Sequence, residues 1–257
     1  FEKNNYPVGY NLGQSGNTPS QNLVDAYEMI DGTPFDWNNP EHKSNPYANR
    51  DPRLAMSILT NNVEFKDRTI EAWTGGRDGK GVIHATRTGY YIYKFIDPNL
   101  ALLQNRTSVH HWVIMRYAEI LLSYAEAMNE AYGPTGNVGY RLNAVRALNQ
   151  VRNRVGVEMP AVPTAISKEE LREKIRNERR VELAFEDHRF WDVRRWMIAP
   201  ETLGAPLRGV EITKISDEEF EYNPIEVEKR TFEPKMYLYS IPQADLNTTG
   251  WVQNPLW

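Results

Sequence analysis

One stretch, "ERRVELAFEDHRFWDVRRW" from Glu178 to Trp196, constrains this chain more than any other. Extended back to the Ser167-Lys-Glu-Glu170 capping pattern, it reads as a helix. At 100° per residue, Leu171, Ile175, Glu178, Glu182, Phe185 and Arg189 then fall within about 80° of arc. Two glutamates and an arginine share the stripe of the apolar residues. Such a stripe is either exposed or buried with every carboxylate paired, because an unpaired buried charge is too costly to keep. Arginine is the natural partner, since its fork binds a carboxylate through two nitrogens. The expected partners are Arg116, Arg146, Arg152 and Arg189, cross-bracing a helical core.

The same stretch bears on function. Arg179, Arg180, Arg189, Arg194 and Arg195 are balanced by Glu178, Glu182, Glu186, Asp187 and Asp192. A phosphate-tracking surface needs a surplus of positive charge. The whole chain carries a net charge of −4, so neither nucleic acid nor anionic lipid is attracted in bulk. No nucleic-acid partner is expected. Glu178 and Glu182 as catalytic groups are the sharper alternative to a structural role.

The texture of the chain changes near residue 110. Before it, "GQSGNTPS", "DGTPFDWNNPEHKSNPYANRDP" and "TGGRDGKG" are turn and loop signals. Short extended pieces are expected at 53–59 and 89–95. Residues 111–199 read as helices. Ile114, Tyr117, Ala118, Leu121, Ala125 and Met128 recur at helical spacing, and Gly133-Pro134 ends that run. A second face, Leu142, Val145, Leu148, Val151 and Val155, closes at Gly156. Short-linked antiparallel helices of this kind suggest tetratricopeptide-like hairpins. From 200 to 257 the chain returns to loops, expected to pack on the scaffold, with an extended piece and a short helix in "YLYSIPQADLN". The fold class is mainly α: helical hairpins, long irregular loops and a few short β-strands. The three regions, 1–110, 111–199 and 200–257, form one domain.

Several chemistries are excluded or unsupported. There is no cysteine, which removes disulfides, thiol catalysis and cysteine zinc sites. "GGRDGKG" at 75–81 has the wrong spacing for a phosphate loop, and Gly81 stands where Ser or Thr should be. "GQSG" lacks the spacing of a nucleophile elbow. His42, His84, His110, His111 and His188 form no i, i+4 pair, so no metal is expected. "DWNNPE" holds oxygen ligands without the calcium-loop pattern. With 34 acids, a pair of hydrolytic carboxylates stays open. No run of eighteen apolar residues is present. The start, "FEKNNYPVGYN", has neither a methionine nor an apolar signal region, so a mature or truncated chain is expected.

The ligand-facing candidates lie in "PFDWNNPEHKSNPY" at 34–47. Phe35, Trp37 and Tyr47 stand among Asp36, Asn38 and other polar residues. Aromatic faces stack on sugar rings, and amides and carboxylates hydrogen-bond hydroxyls. Tyr10 and Trp73 are further candidates, with Tyr6 beside them. The alternative is that Trp37 folds back as a loop anchor.

"NLVDAYEMIDG", "PYANRDPRL", "TRTGYYIYKF", "WVIMRYAEILLSYAEAMNEA", "ERRVELAFEDHRFWDVRRW" and "YLYSIPQADLN…QNPLW" occur in the order seen in the SusD/RagB family. The chain resembles the C-terminal part of a member, from about Asn22 to Trp257. Typical members are about twice as long, and their lipid-bearing cysteine and N-terminal helices lie outside this chain. The resemblance implies a surface lipoprotein of a Bacteroidetes outer membrane, attached only through that lipid anchor. Such proteins bind glycans, sometimes peptides, and pass them to a SusC-type TonB-dependent transporter. It implies no catalysis and no cofactor. In starch-binding members, aromatics just before the "NRDPRL" stretch help form the sugar platform, and Trp37 and Tyr47 lie there. The end departs from the family: Leu256 stands where many members have Gly. Three functions follow in order: a glycan-binding subunit, a helical interaction scaffold or peptide-binding member, and a glycoside-acting enzyme with two carboxylates across a cleft.

Overall fold

The computed structural model describes residues 1–257. Its longest helices are four: α1 (Tyr117–Tyr132), α2 (Ala144–Arg152), α3 (Lys168–Glu182) and α4 (His188–Arg195). The fold is mainly α, with α1–α2 and α3–α4 as tetratricopeptide-like hairpins carrying long irregular loops. Local chemistry sets the helix ends. Gly133 closes α1 at a positive φ of 75°. Asn143 caps α2 by accepting from the Arg146 amide. Ser167 and Glu170 form the reciprocal capping box of α3.

These helices bury one aliphatic core. Leu121, Leu122, Ala125 and Met128 of α1 meet Val145, Leu148 and Val151 of α2, and Leu171 and Ile175 of α3. Ala125 is fully enclosed, as a close helix crossing requires. Three apolar assignments fail, the first being Tyr117, 69% exposed at the start of α1. Ile114 precedes α1, Val155 follows the end of α2, and they are 84% and 93% exposed. The helical period there runs on in sequence after the helix has stopped. With Trp112, Met115 and Tyr117 they leave an exposed apolar strip on the outer side of the helices.

Residues 1–100 and the 207–228 hairpin share a second core. It is built from Tyr6, Tyr10, Tyr27, Tyr90, Tyr91 and Tyr222 with Leu54, Ile58, Phe65, Ile70 and Val210. Here the backbone is irregular, so its carbonyls find side-chain donors. Tyr10 Oη donates to the Phe65 carbonyl at 2.7 Å, Tyr6 to that of Asp97 and Tyr91 to that of Asp78. The expected extended pieces shrink to Ile58–Leu59 paired with Tyr91–Ile92, because Arg53–Ser57 is a turn of helix.

The C-terminal region corrects the reading of loops. Leu207–Lys214 and Phe220–Glu228 form an antiparallel hairpin with a bulge at Leu207/Arg208. It docks on the loop-rich core and not on the helices. The Val210 amide donates to the Thr88 carbonyl at 3.0 Å. A Cβ on Gly209 would lie 2.7 Å from the Thr88 Cα, so only glycine allows this approach. Residues after the hairpin do reach the scaffold: Arg194 of α4 lies over the rings of Phe232 and Tyr239. Gln243–Thr249 is the short helix expected there. No helix is long and apolar enough to cross a membrane.

Candidate functional site

The buried charges are the seam between the two cores. Glu178 accepts from Arg53 at 2.6 Å and from Arg152 at 2.7 Å. Glu182 accepts from Arg53 at 2.9 Å and Arg116 at 2.6 Å, and pairs with Arg154 at 2.7 Å. Arg53 also grips Asp51 at 2.6 Å, and Arg152 reaches Glu28 at 2.8 Å. Burial alone would raise the Glu182 pKa; the guanidiniums of Arg154 and Arg116 outweigh it and hold the carboxyl at about 2. Of the expected partners, Arg116 and Arg152 are present. Arg146 and Arg189 are not, and Arg53 and Arg154 take their place. Helix α3 stops at Glu182, with Phe185 and Asp187 at positive φ of 64° and 62°. Phe185 and Arg189 therefore leave the stripe on which the continuous helical reading had placed them.

Arg50 shapes the 24–50 loop. Buried without a carboxylate partner, it donates to the carbonyls of Pro46, Val24 and Tyr27 at 2.6–2.7 Å. Burial pulls its pKa down to about 10. Its guanidinium lies 4.1 Å from the Phe35 ring centre. Phe35 in turn meets Trp37 edge-on at 5.1 Å and stacks on His42 at 5.4 Å. Trp37 is half-buried, and its Nε1 donates to Asp25 Oδ1 at 3.0 Å. One edge of the indole is therefore an anchor, and only part of the ring faces out. Asp36 Oδ1 accepts from the Asn38 amide and side chain at 2.8 and 3.0 Å; both residues are exposed.

Tyr47 faces elsewhere. It lines an open cleft of 970 Å³ between the one-turn helix Pro40–Ser44 and the 207–228 hairpin. Its ring meets Tyr222 edge-on at 5.3 Å, and its hydroxyl lies 3.3 Å from that of Tyr90. Phe220 continues the aromatic row at 6.4 Å from Tyr222, and Trp73 packs on Phe220 at 5.4 Å. Asn45, Asn61, Asn62, Ser44 and Lys43 supply polar edges. The cleft's carboxylates, Glu218, Glu219 and Glu221, all stand on the hairpin side. Trp73 stands behind Phe220 and is not in the cleft lining.

The sequence candidates thus divide. Phe35 and Trp37 form one half-buried pair, Tyr47 borders a cleft, and the Pro40–Ser44 turn lies between, its His42 on Phe35 and its Lys43 in the cleft. Tyr10 and Tyr6 are corrected: both are core residues with hydroxyls spent on backbone carbonyls. Phe220 and Tyr222 were missed. The alternation of "FEYNPIEVE" at 220–228 was the available signal. No group of three or more His, Cys, Asp or Glu side chains is placed to hold a metal ion.

Comparison with known proteins fits this architecture. A solved SusD-like protein of Bacteroides fragilis superposes with a TM-score of 0.79 at 32% identity, covering 96% of this chain and 48% of that one. A second from the same species, described as a SusD-like carbohydrate-binding protein, gives 0.72 at 31% identity over 91% of this chain and 48% of its own. SusD-like protein P2 of Formosa agariphila is 34% identical over 120 residues, 45% of this chain and 22% of that protein. The chain spans about half the length of the solved relatives. The SusD family model matches residues 2–257, and the chain belongs to the SusD family.

Proposed function

We propose that this chain is a non-catalytic glycan-binding unit that delivers oligosaccharide to a TonB-dependent transporter of the SusC type at a Bacteroidetes outer-membrane surface. One observation carries the binding part. The Tyr47 cleft has an aromatic row on one side and amides and a lysine around it, with Phe35 and Trp37 half-buried beyond the Pro40–Ser44 turn. Rings and amides in an open groove suit sugar faces and hydroxyls. Family membership and the carbohydrate-binding description of one solved relative support the same reading. The delivery role and the surface location rest on the resemblance alone.

Two features speak for binding without turnover. Glu178 and Glu182 are each locked between arginines. In the cleft, the wall facing Glu218, Glu219 and Glu221 carries Lys43, Ser44 and Asn45 and not a second carboxylate, whereas glycoside hydrolysis needs a pair across the bond.

A second reading, a protein-interaction scaffold, has its own observation: the apolar strip of Trp112, Ile114, Tyr117 and Val155 on the outer helical side. Affinity electrophoresis on a panel of polysaccharides separates the two. Retardation that falls at least fivefold in Tyr47→Ala or Trp37→Ala, with circular dichroism unchanged, supports the glycan reading. Retardation by no polysaccharide moves the scaffold reading ahead. Retardation unaltered in both variants removes the site assignment.

A further inference from the structure

A second pocket is lined in part by Asp25, the residue that anchors Trp37. It has a volume of 590 Å³ and is walled by the 20–26 segment, the α3–α4 corner and residues 201–208. Its distinguishing feature is two arginines without a carboxylate partner. Arg180 makes one polar contact, from Nη2 to the Asn22 carbonyl, and Arg189 lines the same pocket with no hydrogen bond or ion pair. The nearest acids to Arg189 are already taken. Asp192 is held by Arg179 at 2.9 Å and Arg195 at 2.8 Å, and Glu173 by Arg176 at 2.8 Å. Burial, and then the charge of Arg189, pull the Arg180 pKa down to about 10. Burial depresses Arg189 as well.

The pocket's other two arginines are paired, and its two free acids are exposed while Arg180 and Arg189 are half-buried. Arg208 is matched by Asp25 at 2.7 Å and Arg230 by Glu228 at 2.9 Å. Asp187 is exposed at the mouth and Glu201 likewise, and neither forms an ion pair. Elsewhere in this molecule buried guanidiniums are given carboxylates, as in the seam, or several carbonyls, as at Arg50. Two half-buried guanidiniums sharing a pocket, with one carbonyl between them, present N–H groups that an anionic ligand can take up. A carboxylate or sulfate offers oxygens in the geometry that a guanidinium fork binds. Phe185 and Phe190 give the pocket apolar walls suited to a ring beside that anion. The pocket also touches the proposed glycan face, because Asp25 bonds Trp37 Nε1 at 3.0 Å and Arg208 at 2.7 Å.

We propose that Arg180 and Arg189 bind the anionic group of an acidic saccharide, a uronate carboxylate or a sulfate ester. This rests on the glycan reading and narrows it to acidic glycans. The test is calorimetric titration of the full chain and of Arg189→Gln. Galacturonate and sulfated oligosaccharides, a neutral oligosaccharide of equal length, free glucuronate and inorganic sulfate are the ligands. Arg189 makes no polar contact, so its replacement leaves the fold intact; unchanged circular dichroism checks this. The wild type is expected to bind one of the acidic oligosaccharides at least tenfold more tightly than the neutral one. Arg189→Gln should lose that tenfold while keeping any neutral binding, and added NaCl should erode it in the wild type only. Whichever acidic sugar is preferred distinguishes carboxylate from sulfate. Equal binding of acidic and neutral sugars, or an unchanged Arg189→Gln, overturns the inference and leaves the glycan reading standing. Binding of glucuronate or sulfate but of no oligosaccharide overturns the saccharide assignment together with the glycan reading.

Discussion

The two cores meet the same requirement by different means. The helical half satisfies its backbone internally, so its core is aliphatic: Leu122, Leu148, Leu171 and Ile175 are all but fully enclosed. The loop-rich half has no such internal ladder and fills its core with tyrosines, of which Tyr6, Tyr10 and Tyr91 reach carbonyls the loops leave over. Irregular backbone can therefore be buried where side chains bring donors to its carbonyls. Between the halves the chain places ion pairs, with Arg53 from the loop side holding Glu178 and Glu182 from the helical side. Such pairs add little net stability over apolar packing, but they fix how one body sits on the other.

The seam is where the comparison breaks most easily. Glu178→Ala takes one carboxylate from Arg53, which keeps Asp51 and Glu182, and one from Arg152, which keeps Glu28, and is expected to cost about 3 kcal/mol in urea unfolding. A loss below about 1 kcal/mol would mean that the halves are joined by apolar contact alone. Next come the cores themselves. Leu148→Ala should cost roughly 2–5 kcal/mol, as a cavity in the aliphatic core. Tyr10→Phe keeps the ring and loses one hydroxyl bond to a buried carbonyl, for about 1 kcal/mol. If Tyr10→Phe equals Leu148→Ala, the hydroxyls matter more than this account allows.

Acid should loosen the seam as well. The Glu182 pKa is about 2 in the folded chain against 4.5 for the free group. Its contribution is complete above the free value and declines as pH falls from about 4.5 toward 2. Urea midpoints measured down that range should drop faster in the wild type than in Glu182→Gln, which has no carboxyl there to protonate.

What was readable in the sequence follows the range of each interaction. The capping box at Ser167 and Glu170 and the stop at Gly133 are local, and both are present. The charged stripe at Glu178 and Glu182 announced a need for arginines, and Arg116 and Arg152 answer it. Arg53 could not be named, because it stands 125 residues from Glu178 and nothing local aims it there. The same holds for Tyr10, whose acceptor is 55 residues away: a ring with a remote backbone partner looks identical to one facing a ligand. The balance of charge in 178–196 was correct in sum and hid its most useful detail. Arg179 and Arg195 share Asp192, and Arg189 is left over. The 207–228 hairpin was overlooked because Pro224 and frequent charges disguise its alternation.

The central claim is that sugar lies on the loop-rich side while the outer helical face only carries it. Hydrogen exchange of the full chain, with and without a retarding polysaccharide, tests this directly. The account predicts protection within residues 31–48, 60–63 and 215–222, with α1 and α2 unchanged. Protection confined to α1, α2 and the Trp112–Tyr117 strip, with the loops unaltered, would contradict it.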